Sequence, residues 1–222
     1  AATGAVRYDI TLDPASARWY LDASWTVPPA PAPALGELRR FPVIAVDLNA
    51  GHLAAAAVAP DGNVLGVPLT VPLELAGRPA ATRDGRLRAA VSRLIAAARQ
   101  HGARAIVIED LDFTRARNEG RERHGNRPSR GRRGRGFRRT VAGIPTGKFR
   151  GRLVQMTANA GLHVIVADPA YTSRWGAGHW LAPLREHHPQ ATGHHAAALV
   201  LGRRGLGHRA GRSANGNRTA PE

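Results

Sequence analysis

Two acids in this chain stand where packing gives no reason for an acid. Asp47 closes the apolar run FPVIAVDL at 41–48, and Glu109 stands at the end of ARAIVIEDL at 103–111. The first run is short, rich in β-branched residues and bounded by Pro42 and by Asn49-Ala50-Gly51, which reads as a buried strand and not a helix. The second repeats the arrangement. A buried ionised carboxylate is costly unless it is paired or bound to a cation. Two strands that each deliver one carboxylate to the same end of a sheet could hold a divalent metal. Mg²⁺ and Mn²⁺ suit such a pair, because they take hard oxygen ligands and keep several waters. Two such ions activate a water and stabilise the leaving oxygen of a phosphodiester.

Charge gives the second chemical signal. The formal net charge is +16, which points to an anionic polymer as partner, and nucleic acid is the one that fits best. Eleven arginines crowd into 25 residues: Arg115, Arg117, Arg121, Arg123, Arg127, Arg130, Arg132, Arg133, Arg135, Arg138 and Arg139. With Lys148, the only lysine, they are the candidate phosphate contacts. A GC-rich genome accounts for arginine over lysine, but not for the excess over acids. The stretch 113–140 has almost no apolar residues, cannot bury a core, and is expected to be disordered or only locally helical when free.

Other classes are disfavoured. No apolar run is long enough to cross a bilayer, the start lacks a signal-peptide pattern, and no basic amphipathic helix with a bulky apolar face is evident. No membrane partner is expected, and the expected location is the cytoplasm, at a bacterial nucleoid. With no cysteine there is no disulfide and no thiolate metal site, so no zinc is expected.

The elements that must position the acids follow in order. Residues 6–12 and 18–26 read as two strands joined at Asp13-Pro14, and VPPAPAPAL at 27–35 is a stiff linker that marks a domain boundary. The organisation expected is a ribbon at 1–27, a linker at 28–40, a catalytic domain at 41–205 carrying the arginine-rich insertion at 113–140, and a disordered basic tail at 206–222. Such a ribbon is marginal alone and is expected to pack on the main domain or on an N-terminal part that is missing. Within the domain, strands are expected at 43–47, 53–59 and 64–71, the last two joined by Pro60-Asp61-Gly62-Asn63. Asp84 suits the N-cap of a helix with Leu87, Val91, Leu94, Ile95 and Ala98 on one face, and Gly102 stops it. A strand at 104–109, a helix at 148–160 offering Phe149, Leu153, Val154 and Met156 to the core, and a strand at 162–167 follow. A loop at 168–193 and a helix at 194–203 complete the domain. Trp175 and Trp180 read as packing residues.

Three strands in a meander, then helix, strand, helix, strand, helix, is the order of the RNase H-like α/β fold of RuvC type, a mixed five-stranded sheet with flanking helices. That resemblance implies that the first and fourth strands are adjacent, bringing Asp47 and Glu109 together. It also implies a third acid from the last helix, where this chain has His195, beside His194. Imidazole is an acceptable Mn²⁺ ligand and a poor Mg²⁺ ligand.

The segments VIAVDLNAGHLAAAAVAPDGNVLG, IVIEDLDF, GIPTGKFRGRLVQMTANAGLHVIVADPAYTSRWG and HHAAALVLGRRGLG together resemble the TnpB (OrfB) accessory proteins of bacterial insertion sequences, relatives of the type V CRISPR effector nucleases. The resemblance runs from about Arg18 to Gly207. It implies an RNA-guided DNA endonuclease that uses Mg²⁺ or Mn²⁺. Asp47 and Glu109 match its catalytic acids, His195 falls at the third acid position, and DNA and a guide RNA are the partners. It also implies that the chain lacks the N-terminal half, where the family binds its guide, and that Tyr171-Thr172-Ser173 leads into a zinc ribbon whose cysteines are absent here. Two alternatives stand beside it. One is a catalytically impaired nucleic-acid-binding remnant, prompted by His195. The other is an actin-like ATPase, prompted by VDLNAGHLAAAAV but without a second glycine-rich phosphate loop.

Overall fold

The computed structural model describes residues 5–25, 31–49, 51–110, 123–124, 127–128 and 146–211. The chain divides into two compact units, Ala1–Pro33 and Ala34–Glu222.

The first unit is an antiparallel ribbon of β1 (Arg7–Asp13) and β2 (Arg18–Ser24). The Asp13 carboxylate builds the turn, accepting the Ala15 N–H and the Ser16 hydroxyl. Tyr8 opposes Ala23, Ile10 opposes Leu21 and Leu12 opposes Trp19, so the two-residue period of a strand gathers these six on one face. That face is exposed, with Ile10 at 69% and Trp19 at 70%.

The second unit begins with α1 (Leu35–Leu38), whose Leu38 is buried. The end of the stretch expected as linker is therefore part of this unit. Its centre is a five-stranded sheet of β3 (Val43–Leu48), β4 (His52–Val58), β5 (Val64–Pro72), β6 (Ala105–Glu109) and β9 (His163–Ala167), in the order β5-β4-β3-β6-β9. The first three strands run as an antiparallel meander, while β6 and β9 lie parallel to β3. This is the mixed sheet and the strand order of the RNase H-like fold. Gly62, at φ +81°, makes the β4–β5 turn with the Asp61 carboxylate accepting the Asn63 N–H.

Helices cover both faces. Ile44, Val46, Ile106 and Ile108 point to α2 (Ala80–Gln100) and α3 (Thr146–Asn159), where Leu87, Val91, Leu94, Phe149 and Leu153 complete one core layer. Val43, Ala45, Val58 and Val107 point to α6 (Gly193–Gly205), which supplies Ala198, Leu199 and Leu201. A Cβ on Gly202 would lie 2.6 Å from Val58 Cγ2, and one on Gly205 2.7 Å from Val107 Cγ2. These glycines let the α6 backbone pack directly on Val58 and Val107 of the sheet.

Several expectations change in detail. Helix α2 starts at Ala80 behind Pro79, one turn before Asp84. Asp84 is not its N-cap; it pairs instead with Arg152 of α3 through two hydrogen bonds of 2.9 and 3.0 Å, and this guanidinium holds its carboxyl below the usual range. Val154 is exposed on α3 and does not enter the core. The segment expected as a loop holds α4 (Thr172–Trp175), a π-helical turn (Gly176–Trp180) and α5 (Leu181–His187). Trp180 packs as expected, its ring beneath the buried Arg203 guanidinium at 4.4 Å. Residues 206–211, expected as free tail, fold back: Leu206 and His208 are buried, and His208 Nε2 lies 2.7 Å from the Pro60 carbonyl. Of the arginine-rich insertion the structure describes one short antiparallel pair, β7 (Arg123–His124) with β8 (Arg127–Pro128); the rest of it lies outside the described residues.

Candidate active site

Strand pairing alone brings the two acids to one edge. Val46 of β3 pairs with Ile108 of β6 in parallel, so Asp47 and Glu109, each one residue further on, leave the sheet side by side. Both share the parity of Val43, Ala45, Ala105 and Val107, which places them on the α6 face. Asp47 is buried and Glu109 nearly so.

Each carboxylate is held. Glu109 Oε1 accepts the Leu48 N–H at 3.2 Å, where the β3–β6 ladder has ended. Asp47 Oδ2 accepts Asn49 Nδ2–H at 3.0 Å. Burial, and then the Asp47 charge, push the Glu109 carboxyl up to about 7; the Leu48 N–H partly opposes this.

The two histidines at the start of α6 part company. His194 Nδ1 lies 2.9 Å from Asp47 Oδ2, with its side chain about half exposed. His52 of β4 sets its ring edge against His194, centroids 5.2 Å apart. Burial, then the neighbouring His194, hold His52 below the usual imidazole range, with Asp47 pulling the other way. His195, the residue expected at the third acid position, is buried and has no contact of this kind. Its Nδ1 accepts the Thr192 N–H at 3.0 Å, and its own N–H is bonded by the Thr192 side chain, closing a capping box around the helix start. An Nδ1 that accepts an amide proton carries none itself, so Nε2 is the protonated nitrogen and donates to Thr70 Oγ1 at 2.9 Å. Burial pushes this imidazole below its usual range as well. The structure thus brings Asp47, Glu109 and His194 together and sets His195 apart, with both ring nitrogens engaged.

Among the described residues, no group of three or more His, Cys, Asp or Glu side chains is arranged to hold a metal ion. The donor set still suits a hard divalent cation bound by two carboxylates, the usual protein share for Mg²⁺, whose remaining positions go to water and phosphate oxygens. Lys148 is exposed on α3. The side chains of the eleven candidate arginines lie outside the described residues. Among those residues no helix is long and apolar enough to cross a membrane.

Asn49, His52, Thr70 and Thr192 were not legible as members of this cluster. His52 becomes so once the hairpin register is known, because Asp47 opposes Ala54 and His52 lies two residues before it on the same face.

No known protein family and no curated protein matches the chain. Solved structures do resemble it. RuvC of T. thermophilus in complex with Holliday junction substrate matches over 73% of this chain and 90% of that one, at 18% identity and a TM-score of 0.46. The Cas12f1–sgRNA–target DNA complex matches over 84% of this chain and 54% of that one, at 11% identity and a TM-score of 0.45. A ROK family glucokinase from Streptomyces griseus, in complex with glucose and AMPPNP, matches over 61% and 35%, at 21% identity and a TM-score of 0.33.

Proposed function

We propose that the second unit is a RuvC-type nuclease domain that hydrolyses nucleic-acid phosphodiesters with a divalent cation held by Asp47 and Glu109. The observation that carries this reading is the meeting of two largely buried carboxylates at the ends of adjacent parallel strands, near enough that the charge of Asp47 pushes up the carboxyl of Glu109. Nothing in core packing calls for that arrangement, and a divalent cation would relieve it.

When bound there, the cation would supply Lewis-acid activation of water and charge stabilisation at the scissile phosphate. The chain's own part is to hold its ligands still. Asn49 fixes one oxygen of Asp47, and the Leu48 N–H fixes one oxygen of Glu109. His194 bonds the same Asp47 oxygen as Asn49 and, half exposed, faces the solvent from which substrate arrives. The excess of positive charge would hold a polyanion over the site.

The finer reading is a TnpB-like, RNA-guided DNA endonuclease of a bacterial insertion sequence, with the guide supplying specificity by base pairing. The four motif segments quoted above support it. Cleavage of labelled single-stranded and duplex DNA, in Mg²⁺ or Mn²⁺, with and without RNA from the native locus, tests both levels. The domain-level reading requires metal-dependent cutting that Asp47→Asn abolishes. The finer one requires that cutting follow the guide.

A nucleic-acid-binding protein without catalysis is the second reading. It is favoured by the imidazole of His194 standing on Asp47 where a third acid would complete the site. Salt-sensitive binding with no cutting in either metal would select it.

A further inference from the structure

A second site lies apart from the carboxylates. After β9 the chain passes through Tyr171, Arg174, Trp175, Gly178 and His179, which line a cavity of about 560 Å³. Tyr171 is 70% exposed and stands in the left-handed region at φ +60°, a conformation a bulky residue adopts only where its surroundings impose it. Trp175, 38% exposed, stacks on His179 with centroids 5.0 Å apart and an interplanar angle of 30°. A Cβ on Gly178 would meet nothing within 4 Å. Among the described residues, the lining offers two aromatic rings, a guanidinium and an imidazole, and no acid.

That chemistry suits a flat, aromatic ligand carrying negative charge. The geometry points to a nucleobase-stacking site for single-stranded nucleic acid, with Tyr171 and Trp175 as platforms and Arg174 toward the backbone phosphates. Core packing does not account for a tyrosine this exposed. The site also lies within reach of the acids. Ala167 pairs with Glu109, and Tyr171 lies four residues further along the chain than Ala167. From the spacing of adjacent strands and the reach of extended chain, Tyr171 is no more than about 20 Å from Glu109. A strand stacked there would lead toward Asp47 and Glu109. This last step rests on the nuclease reading, whereas the stacking site itself does not.

Fluorescence anisotropy without divalent metal separates the two. The probes are a short oligothymidylate, an oligouridylate and an abasic oligomer of the same length and charge. Tyr171→Ala, and Gly178→Leu, whose side chain would start from a Cβ position clear of protein atoms within 4 Å and take up space in the cavity, should each weaken oligothymidylate or oligouridylate binding about tenfold or more. Binding of the abasic oligomer should be unchanged. Trp175 also packs on Gly211, so Trp175→Leu is the less clean variant. Unchanged affinity for both base-bearing probes in both variants would overturn the proposal. So would an equal loss on the abasic oligomer. Failure to cut DNA leaves this result untouched.

Discussion

His194 and His195 are neighbours in sequence but serve different parts of the molecule: His194 Nδ1 bonds Asp47 Oδ2 at 2.9 Å, while His195 ties the start of α6 to Thr192 and Thr70. Their substitutions should therefore separate. His195→Ala opens the capping box and leaves Thr70 and the Thr192 N–H without their partner, at a cost of ~1–3 kcal/mol in urea unfolding. His194→Ala removes a half-exposed ring and should change stability little while altering metal-dependent activity. His194→Asp places a third carboxylate beside Asp47 and should raise Mg²⁺ affinity. The same acid at 195 should not.

The Glu109 carboxyl gives a pH signature. Its folded value, about 7, stands above the unfolded value near 4.5, so the fold binds this proton more tightly than the unfolded chain does. Its contribution is fully present below the unfolded value and is lost as pH rises through about 7. Metal-free protein should then lose stability between pH 5.5 and 8.5 relative to Glu109→Gln, whose amide stays uncharged beside Asp47 and can still accept the Leu48 N–H. Added Mg²⁺ should close that gap for the wild type and leave the variant unmoved. Urea midpoints of the two proteins at both pH values check it.

The glycines of α6 give a packing test. Gly202→Ala and Gly205→Ala would each gain about 1 kcal/mol of helix propensity. Each would also drive a methyl into Val58 or Val107. Overpacking a well-filled layer typically costs ~1–3 kcal/mol, so both variants should melt at lower temperature. Gly193→Ala, whose Cβ meets nothing within 4 Å, should not.

The sheet and its two acids were legible because strand and helix patterns alternate in short, cleanly bounded runs, and an acid at the end of an apolar strand stands out. The histidine that meets Asp47 was not. Which of two consecutive residues turns toward the sheet depends on where the helix begins, and Thr192, as N-cap, makes His195 the third helical residue. The Thr-x-x-His spacing, analogous to Thr-x-x-Glu, was the available signal. The helical turns after β9 were hidden for a related reason. Pro169, Gly176 and Gly178 punctuate that stretch like a loop, yet Gly176 is there because a Cβ would lie 2.8 Å from the backbone of Ala196 and Ala197. A close helix crossing and a loop write the same residue.

The central claim is that Asp47 and Glu109 form one cation site. Calorimetric titration of the purified chain with Mn²⁺ at pH 8 tests it most directly, because Glu109 is then largely unprotonated. The account predicts saturable binding that disappears in both Asp47→Asn and Glu109→Gln and survives in His195→Gln. No binding to the wild type, or binding that both carboxylate variants retain, would contradict it.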